Sequence, residues 1–286
     1  AGHPRFPGKY PMTLLRSAAT ALFLLMTALT VHSAEYQPPE DLAFTASVDG
    51  TEQRYILRRP PHFDDSEAHD LLIALHGHGS DRWQFATDTR DECQGVRDGA
   101  LAHDMIYVSP DYRAKTSWMG PKPEADMVQL IGLLKQRFTI RHVILAGGSM
   151  GGTSSLTFAA LHPHLIDGVV ALNGTANHLE YENFQEAIAA SFGGSKKEVP
   201  EEYKKRSAEY WPLRLTMHIA MTTGGKDTSV PPGSVIRLAG VLKKLHPHAF
   251  HLHRPETGHT TSHPDTVAAM RFVVDALRQS TTAKPK

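Results

Sequence analysis

A single serine lies among four glycines in the segment GGSMGG, directly after the apolar run HVILA. Residues 147–151 have the pattern G-x-S-x-G, which is typical of a sharp turn between a strand and a helix. Such a turn leaves room only for small flanking residues. It also exposes the serine hydroxyl at a helix N-terminus, where the partial positive charge of the helix favours developing anions. The motif therefore predicts that Ser149 is a nucleophile.

Two nucleotide-binding loops are also rich in glycine, but they fit this segment less well. A Walker loop requires a lysine followed by serine or threonine after its last glycine, whereas Gly152 is followed directly by Thr153. The dinucleotide-binding pattern G-x-G-x-x-G fails too, because Ser149 stands two positions after Gly147, where that pattern requires glycine. The segment is therefore not expected to hold a phosphate group of a nucleotide.

Two further polar residues follow later predicted strands, in the chain order serine, acid, histidine. Asp227 follows LTMHIAMTTGG, and His259 lies in ETGHTTS after AFHLHRPE. The carboxyl ends of parallel strands share one edge of a sheet, so these residues can meet Ser149 there. Each alone could be an ordinary turn or surface residue. Together they predict a triad in which His259 is the base and Asp227 orients it, with Asp265 as the less favoured acid.

A serine nucleophile also requires N–H donors for the oxyanion of the tetrahedral intermediate. The residue after the nucleophile supplies one donor, here Met150, and the loop after an earlier strand supplies the other. The segment HGHGS follows the predicted strand LLIAL, so His78 is the expected second donor and Gly79 the alternative. His76 and His78 could instead bind a metal, but the segment offers no third ligand.

The elements that must position these residues alternate along the chain. Six short, mostly apolar runs read as strands: 70–77, 105–111, 142–148, 168–174, 215–225 and 249–256. Helical patterns separate them, and two extended runs around Asp49 and Gly50 predict a hairpin before the first. We therefore expect an α/β fold: a doubly wound, mostly parallel sheet with an N-terminal antiparallel hairpin and helices on both faces.

Composition and the N-terminal residues limit the partners of the chain. It has 286 residues with 30 basic and 30 acidic side chains, so no nucleic acid is expected as a partner.

Residues 12–34 read as a secretory signal peptide, with Arg16 before the apolar run 18–31 and small residues after it. That run is shorter than the ~20 residues of a membrane span, so no stable membrane anchor is expected. We predict an extension and signal peptide over 1–34 and a single catalytic domain over 35–286, secreted or periplasmic.

Neither a metal nor a cofactor is expected. The one cysteine, Cys93, lies in the polar helical stretch RDECQGVRDG and lacks the turn expected of a nucleophile. In the histidine-rich stretch 246–253, His251 and His253 would share one face of a strand. No nearby carboxylate or cysteine completes a metal site with them.

Four segments carry a resemblance to a known superfamily: LLIALHGHGS, GGSMGG, GGKDTSVPP and ETGHTTS, spread over residues 71–262. On these segments the chain resembles α/β-hydrolases, and among them secreted esterases of the acetylxylan and feruloyl esterase type. These lie close to the prolyl-oligopeptidase-like and dienelactone-hydrolase-like groups, and KRSAEYW before KDTSVPP is similar to the prolyl-oligopeptidase pattern. The resemblance implies an α/β-hydrolase fold with a serine triad. Peptidases of that group usually carry a large N-terminal propeller, whereas a hairpin precedes the core strands here, so we expect an esterase.

The remaining predictions concern the substrate. Trp118 and Met119, in SWMGPKPEAD, and Asn173 and Tyr181, in the stretch after GVVAL, are expected to shape the pocket, although Trp118 could equally lie in the core. The expected activity is hydrolysis of carboxylic esters with short acyl, acetyl or feruloyl groups, on a small molecule, a polysaccharide or a polyester. The alternatives are a prolyl-oligopeptidase-like serine peptidase and a non-catalytic binding protein. The sequence leaves the oligomeric state open.

Overall fold

A computed structural model describes residues 1–3 and 35–282 of the protein. Backbone contacts divide the chain into two units, Ala1–Ser33 and Ala34–Lys286, and the fold given below is that of the second unit. The predicted signal peptide, 12–34, lies outside the described residues. No helix in the described part of the chain combines the length and the apolar composition that a membrane span requires.

One sheet of eight strands forms the centre of the described fold. The strands are β1 Glu40–Thr45, β2 Glu52–Arg58, β3 His69–Leu75, β4 Ile106–Pro110, β5 Ile140–Gly148, β6 Gly168–Leu172, β7 His218–Gly224 and β8 Ala249–Arg254. Their order across the sheet is β1-β2-β4-β3-β5-β6-β7-β8. β2 pairs antiparallel with both β1 and β4, and all other pairs are parallel. The predicted hairpin and the predicted, mostly parallel sheet are both confirmed.

Helices cover both faces of this sheet, as predicted. They are α1 Trp83–Thr87, α2 Asp91–Leu101, α3 Pro121–Arg137, α4 Met150–Leu161, α5 Gln185–Phe192, α6 Pro200–Lys205, α7 Gly233–Leu245 and α8 His263–Thr282. Side chains of one strand alternate between the faces. Leu71, Ile73 and Leu75 of β3 pack in the core with α3, α4 and α7, and Leu72 and Ala74 pack in the core with α1, α2 and α8. Burial on both sides explains why the strands read as continuous apolar runs.

The boundaries of the elements differ from the prediction mainly at the carboxyl ends of strands. β3 ends at Leu75, so His76 and Gly77 already belong to the loop above the sheet. β7 begins at His218, after a short 3-10 helix over Pro212–Arg214. Cys93 lies in α2 as predicted and is fully buried, and burial raises the pKa of its thiol to about 12. A thiol in that state is not a nucleophile near neutral pH.

Candidate active site

Ser149 is the single residue between the end of β5 at Gly148 and the start of α4 at Met150. Its backbone has φ 58° and ψ −120°, a conformation that costs a residue with a side chain about 1–3 kcal/mol. Two hydrogen bonds hold it there. The Ser149 N–H donates to Leu172 O at 2.8 Å, and the Thr153 N–H donates to Ser149 O at 3.0 Å. The strand–turn–helix geometry predicted from G-x-S-x-G is the geometry observed.

The small residues flanking Ser149 allow the backbone to pass close to its neighbours. A Cβ on Gly147 would lie 2.5 Å from the carbonyl carbon of Gly151. A Cβ on Gly151 would lie 2.0 Å from Leu75 O, at the end of β3. Because no Cβ tolerates such distances, the tight packing of β3, β5 and α4 requires glycine at both positions.

Asp227 and His259 meet at the same edge of the sheet, after β7 and β8. The His259 Nδ1–H donates to Asp227 Oδ2 at 2.7 Å, and the Val230 N–H donates to Oδ1 at 2.8 Å. The Asp227 side chain is 1% exposed and that of His259 31%. Each oxygen of the buried Asp227 carboxylate thus accepts a hydrogen bond. Because Nδ1 of the neutral His259 ring carries the proton, Nε2 is free to accept one.

Ser149 and His259 line one cavity of about 290 Å³. Its other lining residues are Gly77, His78, Gln84, Phe85, Arg90, Glu92, Gly148, Leu172, Asn173, Phe184, Ser229, Thr260 and Thr261. The less favoured acid, Asp265, has a different partner, because its Oδ2 accepts a hydrogen bond from Arg254 Nε at 2.8 Å. This bond lowers the pKa of Asp265, and the carboxylate that His259 contacts is that of Asp227.

The loop after β3 distinguishes between the two predicted oxyanion donors. The Gly79 N–H donates to Lys115 O at 2.7 Å and is therefore occupied. Within residues 35–282, the backbone N–H groups of His78 and Met150 donate to no acceptor. An oxyanion site requires N–H groups that are free to donate. The geometry therefore favours His78 over the alternative Gly79.

The histidines of this loop and of β8 make hydrogen bonds with neighbouring backbone and side-chain groups. Both ring nitrogens of the buried His76 lie against backbone carbonyls, at 2.8 Å from Gly77 O and 3.1 Å from Asp111 O, and burial lowers its pKa. His78 Nδ1 accepts a hydrogen bond from Trp118 Nε1 at 3.1 Å. His251 and His253 both contact the Thr223 hydroxyl. In the described part of the chain, no three His, Cys, Asp or Glu side chains are grouped to hold a metal ion.

The structure corrects the predicted pocket. Asn173 lines the cavity, but Trp118, Met119 and Tyr181 are buried and are not among its lining residues. Trp118 and Met119 have φ 42° and 55°, in a loop that places both side chains in the core beneath His78. The Tyr181 hydroxyl donates to Ser229 O at 2.8 Å. The core interpretation of Trp118 is therefore the right one.

Sequence reasoning missed two aromatic residues that line the cavity, the buried Phe85 and the exposed Phe184. Phe184 is 41% exposed and has φ 57°, which is left-handed backbone. Its ring centroid lies 4.4 Å from that of His78 and 5.6 Å from that of Trp118. Ser149 and Asn173, which also line the cavity, have positive φ values as well. Such strain concentrates at functional sites. The sequence EYENF does not indicate whether Tyr181 or Phe184 lines the cavity, because the backbone conformation decides this.

Comparisons with known proteins give one family match. The sequence pattern of the prolyl oligopeptidase family matches residues 104–277, a span that includes Ser149, Asp227 and His259. No curated protein matches the chain.

Solved structures show the same fold at low identity. Puromycin hydrolase superposes with a TM-score of 0.66 at 17% identity, over 86% of this chain and 40% of that one. Dipeptidyl peptidase 4 of Porphyromonas gingivalis gives 0.64 at 14% identity, over 84% and 36%. The S-formylglutathione hydrolase of Staphylococcus aureus gives 0.63 at 15% identity, over 84% and 98%. The chain thus spans well under half of the first two proteins. With the strand order, these similarities confirm the predicted α/β-hydrolase fold.

Proposed function

Because the chain belongs to the prolyl oligopeptidase family and is a serine hydrolase with the α/β-hydrolase fold, we propose that it cleaves carboxylic esters. One observation supports the catalytic assignment above the others. His259, which is hydrogen-bonded to Asp227, and the strained Ser149 line the same cavity of about 290 Å³. We assign Ser149 as nucleophile, His259 as general base and acid, and Asp227 as the residue that orients His259.

The reaction follows from these positions. His259 Nε2 accepts the proton of Ser149 Oγ as the oxygen attacks the ester carbonyl, and the N–H groups of His78 and Met150 bind the resulting oxyanion. Collapse of the intermediate expels the alcohol oxygen, which takes the proton from Nε2, and leaves an acyl-Ser149. A water molecule, deprotonated by the same nitrogen, then releases the acid. Each oxyanion donor typically contributes about 3 kcal/mol to stabilisation of the transition state.

The lining of the cavity supports an ester rather than a peptide as substrate. Phe184, which is 41% exposed, provides apolar surface for an acyl group, and the buried Phe85 and Leu172 complete the apolar lining. Glu92 is the one carboxylate among its described lining residues, so this cavity itself holds no acidic pair for a peptide amine. An alkoxide or phenoxide also leaves more readily than an amine, so a triad with two oxyanion donors suffices without extended subsites.

The test is a direct comparison of ester and amide substrates. We expect measurable kcat/KM on p-nitrophenyl acetate and butyrate, and little on alanyl or prolyl p-nitroanilide. Ser149→Ala and His259→Ala should each lower ester turnover by about 10⁴–10⁶, and the two losses should not add. Ser66→Ala, in an exposed loop, is the matched control and should retain full activity.

Two results would change the proposal. Efficient cleavage of the p-nitroanilides with weak ester hydrolysis would establish the peptidase alternative. Failure of a fluorophosphonate to label Ser149 in the native protein would instead establish a non-catalytic binding protein, because labelling requires an activated serine.

A further inference from the structure

The segment that carries His259 packs against the end of β7. A Cβ on Gly224, the last residue of β7, would lie 2.1 Å from Gly258 O, so the backbone just before His259 lies directly on the strand end. The Lys226 N–H donates to Thr257 O at 2.8 Å, one residue earlier in the chain. Backbone contacts therefore hold the chain on the N-terminal side of His259.

On the C-terminal side of His259, the hydroxyl of a buried threonine makes the contacts. The Thr261 hydroxyl donates to Asn173 Oδ1, and its oxygen lies 2.7 Å from Thr222 Oγ1. All three residues are at most 5% exposed. Because a hydroxyl has one proton and Thr261 gives it to an amide oxygen, Thr222 must be the donor to Thr261. The hydrogen bonds thus run in one direction, from β7 through the His259 segment to the residue after β6.

The strand ends that hold Thr261 also hold the nucleophile. The Ser149 N–H donates at 2.8 Å to the carbonyl oxygen of Leu172, the last residue of β6. Asn173 follows directly, and its N–H donates to Thr222 O at 3.1 Å, which joins the ends of β6 and β7. The hydrogen bonds of Ser149 and Thr261 therefore converge on the adjoining ends of these two strands.

The Asp227 carboxylate alone does not fix His259 relative to Ser149. Its hydrogen bond to Nδ1 orients the ring, whereas the distance of the ring from Ser149 depends on the backbone of residues 258–261. Within residues 35–282, the Thr261 hydroxyl is the only other side-chain group of 258–261 that forms a hydrogen bond.

We propose that Thr261 is a positioning residue, whose hydrogen bonds hold the His259 backbone at the distance from Ser149 that proton transfer requires. His259 Nε2 takes the proton of Ser149 Oγ as the acyl-enzyme forms, and later that of the hydrolytic water. Each transfer requires the base within hydrogen-bond reach of the proton, so a displaced backbone slows both steps. The inference rests on the proposed roles of Ser149 and His259 but not on the choice between ester and peptide.

The experiment removes the Thr261 hydroxyl and keeps the branched side chain. With p-nitrophenyl acetate, Thr261→Val should lower kcat about ten- to hundredfold and change KM less than about twofold, because the base is displaced while the cavity lining is retained. Thr261→Ser keeps the hydroxyl and should restore kcat to within about threefold of wild type. Thr222→Val breaks the same network at a residue that is not among the described lining residues of the cavity. It should also lower kcat, and it tests the network if Thr261→Val does not fold.

Thr157→Val is the matched control, since Thr157 is a buried threonine of α4 whose hydroxyl donates to Arg206 O at 2.8 Å. It should lose stability to urea much as Thr261→Val does and leave kcat unchanged. The rate at which a fluorophosphonate labels Ser149 is a second readout, because labelling requires His259 to accept the serine proton. That rate should fall in Thr261→Val by about the same factor as kcat.

The outcomes separate this inference from the proposed function. An unchanged kcat and labelling rate in Thr261→Val, an equal loss of kcat in Thr157→Val, or no recovery in Thr261→Ser would overturn the positioning role. A higher KM at constant kcat would overturn it too, because Thr261 would then contact the substrate. If the wild type cleaves p-nitroanilides and not esters, the esterase proposal fails, while the labelling rates still decide the role of Thr261.

Discussion

At the scale of single residues, Arg206 connects the segment KRSAEYW to the candidate active site. Its side chain is fully buried and pairs with Glu124 at 2.7 Å and Glu202 at 3.0 Å. Its Nη1 donates to Met119 O at 2.7 Å. Met119 follows Trp118, whose indole N–H donates to His78. The segment that resembles the prolyl-oligopeptidase pattern thus holds the loop beneath the proposed oxyanion site.

Replacing Arg206 should therefore be costly. Arg206→Met leaves Glu124 and Glu202 without their cation, and breaking a buried ion pair in this way typically costs about 3–5 kcal/mol of unfolding free energy. Arg237→Met is the matched control, since Arg237 pairs with Glu180 and Glu209 but is 48% exposed, and its loss should cost less than about 1 kcal/mol. Urea unfolding of both variants checks the prediction, and equal losses would contradict it.

The ion pairs of Arg206 also predict that the free energy of unfolding falls at acidic pH. Burial raises the pKa of Glu124, but hydrogen bonds with His162 and the charge of Arg206 outweigh burial and lower it to about 2. An unfolded glutamate has a pKa near 4.3. Because the folded pKa is the lower one, this stabilisation is complete above the unfolded pKa and is lost as the pH falls toward 2.

We expect Glu124→Gln to unfold at lower urea concentration than wild type at pH 7. The two proteins should converge as the pH falls from about 5 to 2, because wild-type Glu124 then also loses its charge. Unfolding midpoints measured across this range test the prediction. A difference that stays constant with pH would show that Glu124 acts by packing rather than by charge.

The residues that carry the proposed chemistry were predictable, and those that shape the cavity were not. A nucleophile elbow and the order serine, acid, histidine are local motifs at strand ends, so Ser149, Asp227 and His259 could be found one by one. Trp118 and Phe184 are both aromatic residues in polar loops. Trp118 is buried in the core and Phe184 is exposed at the cavity. Both have left-handed backbone, and neither residue type indicates that conformation.

At the scale of elements, the contact between α2 and α8 positions the segment that carries His259. A Cβ on Gly99 of α2 would lie 2.8 Å from Met270 Cβ on α8, and α8 begins four residues after His259. The two helices approach closely only because Gly99 has no side chain.

Gly99→Ala should therefore destabilise the protein by about 1–3 kcal/mol through overpacking, despite the better helix propensity of alanine. Gly240→Ala is the matched control, since Gly240 lies in α7 with no atom within 4 Å of its Cβ position. There the same substitution should stabilise by up to about 1 kcal/mol. Thermal unfolding should shift in opposite directions, and a shift of the same sign in both would contradict the packing argument.

The elements themselves were largely predictable, because their apolar runs, glycines and prolines are local signals. The order of the strands was not. β4 lies between β2 and β3, so the chain leaves the hairpin, skips one position and returns. Such a crossover is decided by which faces the helices cover rather than by any strand's own sequence.

At the scale of the whole molecule, the predicted processing site lies two residues in sequence before Tyr36, a buried residue of the second unit. Tyr36 is 7% exposed, its hydroxyl donates to Met105 O at 3.1 Å, and its ring lies 5.7 Å from that of Tyr107. The Gln37 N–H donates to Arg59 O at 2.9 Å. Tyr36 thus packs in the core two residues after Ala34, where the sequence predicts that a signal peptide ends.

We propose that the protein is exported and that cleavage near Ser33 or Ala34 leaves these contacts intact. A chain of residues 35–286 should then retain the kcat/KM of the full sequence on p-nitrophenyl acetate. A chain of residues 38–286 loses Tyr36 and should be less stable by about 3 kcal/mol, the usual cost of deleting a buried aromatic side chain. Tyr36→Phe in the longer chain keeps the packing and removes one hydrogen bond, so it should cost only about 1 kcal/mol.

Urea unfolding of the three proteins measures these differences. Equal midpoints for chains starting at 35 and 38 would show that Tyr36 does not anchor the fold, and a mature N-terminus far from residue 35 in the exported protein would contradict the processing site.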